Sequence, residues 1–445
     1  MKRIFRNDFY IDANNDVLKV VSKKNEKISF SINQAQAVYL SLFNGLCEDS
    51  EIEKIALELF GDNIKKLVPM ERFLLPVEYA FDIFGHYVHP YLPEGFLKKK
   101  YNMPNDLNKD IIIPRYLTLC LTHKCYRKCA YCYAHAEKSK VIEHNALNIK
   151  EYQNVLMEAF DMAIEGVLLT GGEPLLYPNV YDIIDFLCSH GIRTQVLTKY
   201  PLNEKRLRMI DTRFLDICLS IDTYDPKLAN YLTGSSSFFE DMRNNFLILN
   251  KMQIAFNATI VITKLNISQI MDTVQFLLKS GAKHVFTNYY SYDNDQVDEL
   301  VLSEEEKKDF NREISIFINN SKLNGYVTHN EHNKNSIDIL QMNCAGLHKK
   351  VTIDYDGKYL ICDHARDIHT EFKNVKTHTI IEHFNSKTME MYRYPQQEKY
   401  KGTKCEKCKF FEKCAAKNSC YVKSFAEHNE LYRPLKEIED VCNKG

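Results

Sequence analysis

Cys125, Cys129 and Cys132 stand in the run LTHKCYRKCAYCYAH with the spacing C-x3-C-x2-C. A cubic iron–sulfur cluster takes one thiolate per iron. Three thiolates leave one iron without a protein ligand, and an open metal position is where chemistry takes place rather than structure. A zinc site is one alternative. A closed cluster with Cys120 as fourth ligand is another, although Cys120 precedes the loop. Further along, Val167–Leu168–Leu169–Thr170 leads into Gly171–Gly172–Glu173–Pro174. Two glycines let backbone approach a ligand closely, and Glu173 offers a carboxylate acceptor.

A second group of cysteines lies near the C-terminus: Cys344, Cys362, Cys405, Cys408, Cys414, Cys420 and Cys442, seven of the chain's 14. Clustered cysteines in a large chain more often bind metal than form disulfides. Cys405-x2-Cys408 alone would also suit zinc. Cys47, Cys188 and Cys218 stand singly in apolar surroundings and read as buried structural residues.

These residues need elements to hold them. Leu117, Leu119 and Leu121 alternate, so a strand runs into the first thiol loop. Strands are expected to begin near Leu117, Val167, Thr194, Leu215, Phe256 and His284. Helical runs separate them, among them Tyr152–Ile164, Val180–Ser189 and Ser268–Ser280, with a capping-box start at Asn148 and Glu151 and a stop at Gly281. Six consecutive βα units predict parallel strands with right-handed crossovers, curled into an open partial barrel. Its functional residues belong at the C-terminal strand ends. Ser303 to Glu306 starts a further helix to about Leu323, and VTIDYDGKYLIC reads as a hairpin turning at Asp356–Gly357.

Residues 1–75 read as a separate winged-helix-like module. FYID, VLKVVS and KISFSI are strand-like, and helices are expected over Asn33–Leu46, Asp49–Phe60 and Asn63–Leu75. Residues 76–114 form a linker, 115–300 the barrel, 301–343 a bridging helical region and 344–445 the cysteine-rich domain. The 445 residues carry 58 basic and 59 acidic side chains, a net charge of −1, so nothing favours nucleic acid or an acidic membrane as partner. No apolar run has the length of a membrane span and the N-terminus lacks a signal-peptide core, so a cytoplasmic protein is expected.

The triplet Cys125-x3-Cys129-x2-Cys132, Tyr131 before its last cysteine, and Gly171–Gly172–Glu173–Pro174 resemble the radical S-adenosylmethionine (SAM) superfamily. The resemblance implies an α/β fold with a partial (β/α)6 barrel. It also implies a 4Fe–4S cluster on the three cysteines whose open iron is chelated by SAM, the source of a 5′-deoxyadenosyl radical. By the same resemblance Gly171, Gly172 and Glu173 hold the methionyl amine, Tyr131 lies near the adenine, and Ser220, Asp222 and Asn257 are polar SAM contacts. A basic residue that related maturases carry in the following helix falls at Asp241, with Arg243 as the substitute.

The C-terminal pattern, including Gly357, resembles the SPASM extension, which implies two auxiliary 4Fe–4S clusters. Cys405, Cys408, Cys414 and Cys442 would hold one, and Cys344, Cys362 and Cys420 the other. The gap from Cys414 to Cys420 is longer than the family's. The second set lacks a fourth cysteine, so its iron is either open to a substrate thiolate or closed by Asp338. Residues 1–75 resemble the PqqD-like recognition domain, in which a leader peptide adds as a strand beside the third strand, here Lys27–Ile32. A DNA-binding winged helix is the alternative, disfavoured by Glu48, Asp49, Glu51, Glu53 and Glu58. Together these imply a maturase of ribosomally made peptides, reduced by an external donor such as flavodoxin or ferredoxin. It would install a Cys thioether of the sactipeptide or ranthipeptide type. A carbon–carbon (cyclophane-type) link, epimerisation and sulfatase maturation are the alternatives.

Overall fold

The computed structural model describes residues 2–4, 9–12, 19–22, 29–31, 40–42, 44–60, 114–132, 145–162, 164, 166–190, 192–290, 298–330, 344–366, 368–414, 420–436, 438–439 and 442. Near the N-terminus, β1 (Lys2–Ile4) pairs antiparallel with β5 (Asn44–Glu48). The strands β2 (Phe9–Asp12), β3 (Lys19–Ser22) and β4 (Ser29–Ser31) form an antiparallel meander with β4 at one edge. The helix Asp49–Phe60 follows, as its apolar spacing predicts, with Ile52 fully buried. The helix expected over Asn33–Leu46 is corrected: its last residues belong to β5. Asn44–Gly45 breaks the helical pattern, and pairing with the distant Lys2–Ile4 then decides the conformation, which periodicity alone does not reveal. The expected helix Asn63–Leu75 and most of the 76–114 linker lie outside the described residues.

The main sheet has nine strands in the order β12-β11-β10-β9-β8-β7-β6-β13-β14. Its six central strands are the expected ones: β6 (Tyr116–Thr122), β7 (Gly166–Gly171), β8 (Arg193–Thr198), β9 (Leu215–Ser220), β10 (Ala255–Ile262) and β11 (Val285–Tyr289). All are parallel and in sequence order. Two additions extend it. β12 (Val327–Asn330) runs parallel to β11, so the segment expected to be a helical bridge also contributes a strand. On the other side β13 (Lys350–Ile353) runs parallel to β6 and turns through Gly357, at φ 89°, into the antiparallel β14 (Tyr359–Leu360). The expected hairpin is therefore present, but it also continues the barrel sheet. β12 and β14 are its edges, so the sheet is not closed.

Alternation sorts the side chains. Leu117, Leu119, Val167, Leu169, Ile217, Leu219, Phe256 and Ile260 face one way. They form a continuous core with Leu156, Ile183, Leu187, Phe246, Leu249, Val274 and Leu277 of the helices Ile149–Asp161, Val180–Ser189, Phe238–Met252 and Ile270–Lys279. The opposite face carries mostly polar or small side chains. Capping boxes at Asn148 with Glu151 and at Ser303 with Glu306 start their helices as expected, each worth about 1 kcal/mol. Buried Arg393 donates to the carbonyls of Leu347 at 2.6 Å and Phe384 at 2.9 Å, binding the cysteine-rich region together. Among the described residues no helix is long and apolar enough to cross a membrane.

Candidate functional site

The strand β6 delivers the thiol loop to the C-terminal edge of the sheet, and backbone contacts fix it there. The Gly172 amide donates to Thr122 O at 2.6 Å and the Glu173 amide to Lys124 O at 2.8 Å. A Cβ at Gly171 would lie 2.3 Å from Thr122 O, and one at Gly172 would lie 2.3 Å from Lys124 O. The two glycines are thus required by the approach of one strand end to the loop carrying Cys125. On the far side Lys128 N and Ala130 N each donate over 3.0 Å, to Thr233 O and Leu232 O. Arg127, buried between two of the cysteines, bonds Ser235, reaches Asp241 at 2.6 Å and sits over the Phe238 ring. His123 meets Asp354 of the C-terminal hairpin at 2.7 Å and packs on Tyr355.

Burial pushes the Cys125 thiol up to about 11 and the Cys129 thiol up to about 12; for both, charge on Cys132 adds to the effect. Cys125 and Cys129, desolvated and within electrostatic reach of Cys132, resist ionising unless a positively charged group binds them. The donor set therefore fits a metal cluster. Cys120 is buried within β6, and its charged neighbours are Arg366, Asp354 and Asp363 rather than the triplet. Cys188 and Cys218 are buried, as expected.

Beside the triplet lies a buried polar knot. The Tyr131 hydroxyl donates to Asp222 and accepts from Lys199 Nζ at 2.9 Å. Lys199 also reaches Asp222 Oδ2 at 3.2 Å and the Ser220 carbonyl at 3.4 Å. Asp222 Oδ1 accepts from the Val261 amide at 2.7 Å. Burial opposes the Lys199 charge, but Asp222 and the Cys129 and Cys132 thiols outweigh it and raise its pKa. Glu173 accepts from Thr198 Oγ1 at 2.7 Å, the Lys199 amide at 3.1 Å and the Leu175 amide at 3.1 Å. Burial still pushes its carboxyl up to about 7.

Tyr131, Gly171, Gly172, Glu173, Ser220 and Asp222 are therefore brought to one edge with the triplet. Asn257 is not: it stands third in its strand, toward the opposite end, and donates to Asp216 at 2.9 Å. Arg243 is exposed and pairs with Glu240, so it does not replace the cation missing at Asp241. Lys199 and Arg127 are buried or half-buried cations beside the triplet, and sequence reasoning missed both. The available signal was a lysine directly after a strand, in VLTK, and an arginine within the thiol motif.

The C-terminal cysteines fall into two sets. Burial pushes Cys362 up to about 12, and Cys344 and Cys420 add to it; Cys344 is likewise raised by burial and by Cys420. Cys405 is raised by burial and by Cys414, Cys442 and Cys408, and Cys442 by burial and by Cys414 and Cys408. Gln397 Nε2 donates to the carbonyls of Cys405 at 2.7 Å and Cys408 at 2.9 Å, holding that turn. Among the described residues no three His, Cys, Asp or Glu side chains converge as the ligands of a single ion do. Asp338 lies outside the described residues.

The open, mainly parallel sheet thus carries a thiol triplet at its C-terminal edge, with two further thiol sets beyond it. Residues 119–277 match the Radical SAM superfamily, and residues 344–409 match SPASM, an iron-sulfur cluster-binding domain. The chain carries a radical SAM domain, which implies a SAM-binding 4Fe–4S cluster, and a SPASM domain, which implies auxiliary clusters.

It is similar to the antilisterial bacteriocin subtilosin biosynthesis protein AlbA of Bacillus subtilis, 24% identical over 40% of each chain. It is also similar to the GTP 3′,8-cyclase of Synechococcus elongatus, 31% identical over 37% of this chain and 51% of that one. The match thus spans about half or less of these relatives' length. Among solved structures, Streptococcus suis SuiB bound to precursor peptide SuiA superposes with a TM-score of 0.63 at 17% identity, over 98% of this chain and 100% of that one. anSMEcpe with bound AdoMet gives 0.55 at 15%, over 74% of this chain and 92% of that one. These likenesses show the fold.

Proposed function

We propose that this chain is a radical SAM maturase that installs a cross-link, a Cys thioether, in a ribosomally synthesised precursor peptide. The observation that carries the reading is the thiol loop docked on Gly171–Gly172–Glu173 at the edge of a sheet that also includes the SPASM hairpin. AlbA, a bacteriocin biosynthesis protein, and SuiB, solved with a precursor peptide, support a peptide as substrate.

Cys125, Cys129 and Cys132 would hold the SAM cluster. When bound, SAM and the reduced cluster supply a 5′-deoxyadenosyl radical. This chain's residues would bind and exclude. Gly171 and Gly172 bring backbone to the methionyl end, Glu173 accepts there, and Lys199, Ser220 and Asp222 supply polar contacts near buried Tyr131. Placement of a reactive group and exclusion of water are the tasks left to the protein. Cys344, Cys362 and Cys420 would hold one auxiliary cluster, and Cys405, Cys408, Cys414 and Cys442 the other. The first set has three cysteines, which leaves room for a substrate thiolate.

Residues 1–75 would take the leader peptide, as a PqqD-like domain does. β4 lies at the edge of its three-stranded sheet, where an added strand can pair. Lys124 and Lys128, with exposed Tyr126 between them, face solvent beside the triplet and suit an acidic electron donor such as flavodoxin or ferredoxin.

The experiment is anaerobic reconstitution with SAM, a reductant and the peptide encoded by any short reading frame found to adjoin this chain's own. The peptide should lose about two hydrogens per link, with iron near twelve atoms per chain and about eight in Cys408→Ser. Unchanged mass in ordinary water, with deuterium uptake when the reaction is run in deuterated water, would mean epimerisation. Four zinc ions and no labile sulfide would overturn the enzyme reading.

A further inference from the structure

Closed barrels of this type fill their interior with branched apolar side chains. Here the inner face carries Thr170, Gln195, Asp216, Asn257, Thr259 and Asn288 beside Leu168, Leu197, Val261 and Phe286, which are themselves only half-buried. Gln195, Asn257, Thr259 and Asn288 are only half-buried, while the outward residues between them, such as Phe256, Ala258 and Ile260, are sealed in the core. The inner face is therefore the wall of a groove rather than a packed core.

Asp216 is the anomaly on that wall. Its side chain is 9% exposed. Oδ2 accepts from Asn257 Nδ2 at 2.9 Å and from exposed Arg193 at 3.4 Å. Oδ1 is buried and has no hydrogen-bond partner among the described residues. Burial raises its pKa against the pull of Arg193 and Asn257. A buried carboxylate oxygen without a donor is costly, and nothing in the packing requires one there. Asp216 and Ser220 share the inner face of β9, one near each end, about 13 Å apart. Asn257 stands between them on the neighbouring strand, paired with Cys218.

We propose that Asp216 and Asn257 form a specificity subsite for the core peptide, at the end of the groove away from the thiol triplet. Asp216 Oδ1 accepts a hydrogen bond from the peptide, and Asn257 holds the carboxylate in position. The inference rests on the peptide-maturase reading. The donor is a main-chain N–H or a side-chain ammonium, guanidinium or hydroxyl. A peptide anchored there and threaded along the inner face would present a residue several positions away to the edge where Tyr131, Ser220 and Lys199 meet.

The test uses full-length, reconstituted chains and the same short peptide, as complete precursor and as leader alone. In Asp216→Ala, KM for the precursor should rise about tenfold or more, since a hydrogen bond to a charged group is lost, and in Asp216→Asn, which keeps an acceptor oxygen without the charge, it should rise less. Kd for the leader alone should stay at the wild-type value. Alanine scanning of the precursor then names the donor. If one Lys, Arg, Ser or Thr replacement raises KM in wild type but not in Asp216→Ala, the donor is that side chain. If none does, it is main chain. An unchanged KM in both variants overturns the subsite and leaves the maturase reading standing. So does a loss of leader affinity equal to that of the precursor, which would mark a structural role. If wild type binds neither leader nor precursor, the maturase reading falls and the subsite with it.

Discussion

Arg127 and Asp241 meet at 2.6 Å although 114 residues separate them. Arg127 stands between Cys125 and Cys129, and Asp241 lies in the first turn of Phe238–Met252, so the pair clamps the thiol loop onto a helix of the barrel. Asp241 occupies the place where the resemblance led us to expect a cation. The positive charge comes instead from the thiol motif itself.

Breaking that clamp should loosen the loop. Arg127→Met removes the donor to half-buried Ser235 and the cation paired with Asp241, which keeps only Ser237 Oγ at 3.0 Å, a loss of about 2 kcal/mol. We expect a lower melting temperature and a lower iron content after reconstitution. Arg127→Met with Asp241→Asn should lose less than the sum of the two, because the second change removes the stranded charge. Strict additivity in the thermal unfolding data would show that the two residues act separately.

The glycine turn gives a sharper contrast. Gly172→Ala would put a methyl group 2.3 Å from a backbone oxygen that cannot move without carrying Cys125 with it. Cluster assembly and SAM affinity should both be lost, read by visible absorbance and equilibrium dialysis. Gly166, at the other end of the same strand, has its nearest atom at 3.4 Å. Gly166→Ala should change stability by no more than about 0.5 kcal/mol. Equal effects at the two positions would remove the case for close backbone approach at the turn.

The barrel strands and the thiol sets were legible because each leaves a local mark: alternation in Leu117, Leu119 and Leu121, capping boxes at Asn148 and Ser303, short cysteine spacings. What was not legible depends on distant pairing. Asn44–Glu48 reads as a helix end until Lys2–Ile4 is placed beside it, and Val327–Asn330 and Lys350–Ile353 carry no sign that they extend the barrel sheet. The resemblance puts Asn257 at the site, but its strand begins only two residues before it, so it stands toward the opposite end. Lys199 was overlooked because a lysine after a strand usually points to solvent. Here Tyr131 of the thiol loop and Ser220 and Asp222 at the end of β9 close around it.

Lys199 yields a prediction with an electrical readout. Its ammonium bonds Tyr131 and Asp222 and interacts with the charges of Cys125, Cys129 and Cys132. A nearby positive charge favours the electron added to a cluster held by those thiolates. Lys199→Met and Lys199→Gln should both lower the midpoint potential, by tens of millivolts. They should also weaken SAM binding about tenfold through loss of a charged contact. An unchanged potential by redox titration would reduce Lys199 to a tie between Tyr131 and Asp222.

Acid should weaken the C-terminal region through His383. Its ring lies flat on Tyr359, centroids 3.9 Å apart and planes 4° apart, with Phe372 edge-on at 4.8 Å. Nε2 is buried without a partner among the described residues. Burial lowers its pKa from 6.5 to about 3, with the positive charges of Arg393 and His378 acting in the same direction. Between these values the unfolded chain binds a proton that the folded chain does not, so stability is complete above the unfolded pKa and falls as pH drops. At pH 4.5 the loss should be roughly 2–3 kcal/mol. His383→Phe keeps the stacked ring and removes the proton site, so its melting temperature should fall less than wild type's between pH 7 and pH 4.5. Cluster loss in acid affects both proteins alike, so the difference between the two profiles isolates the histidine. Parallel profiles would mean that His383 is protonated equally in the folded and unfolded chains, which its packing between Tyr359 and Phe372 argues against.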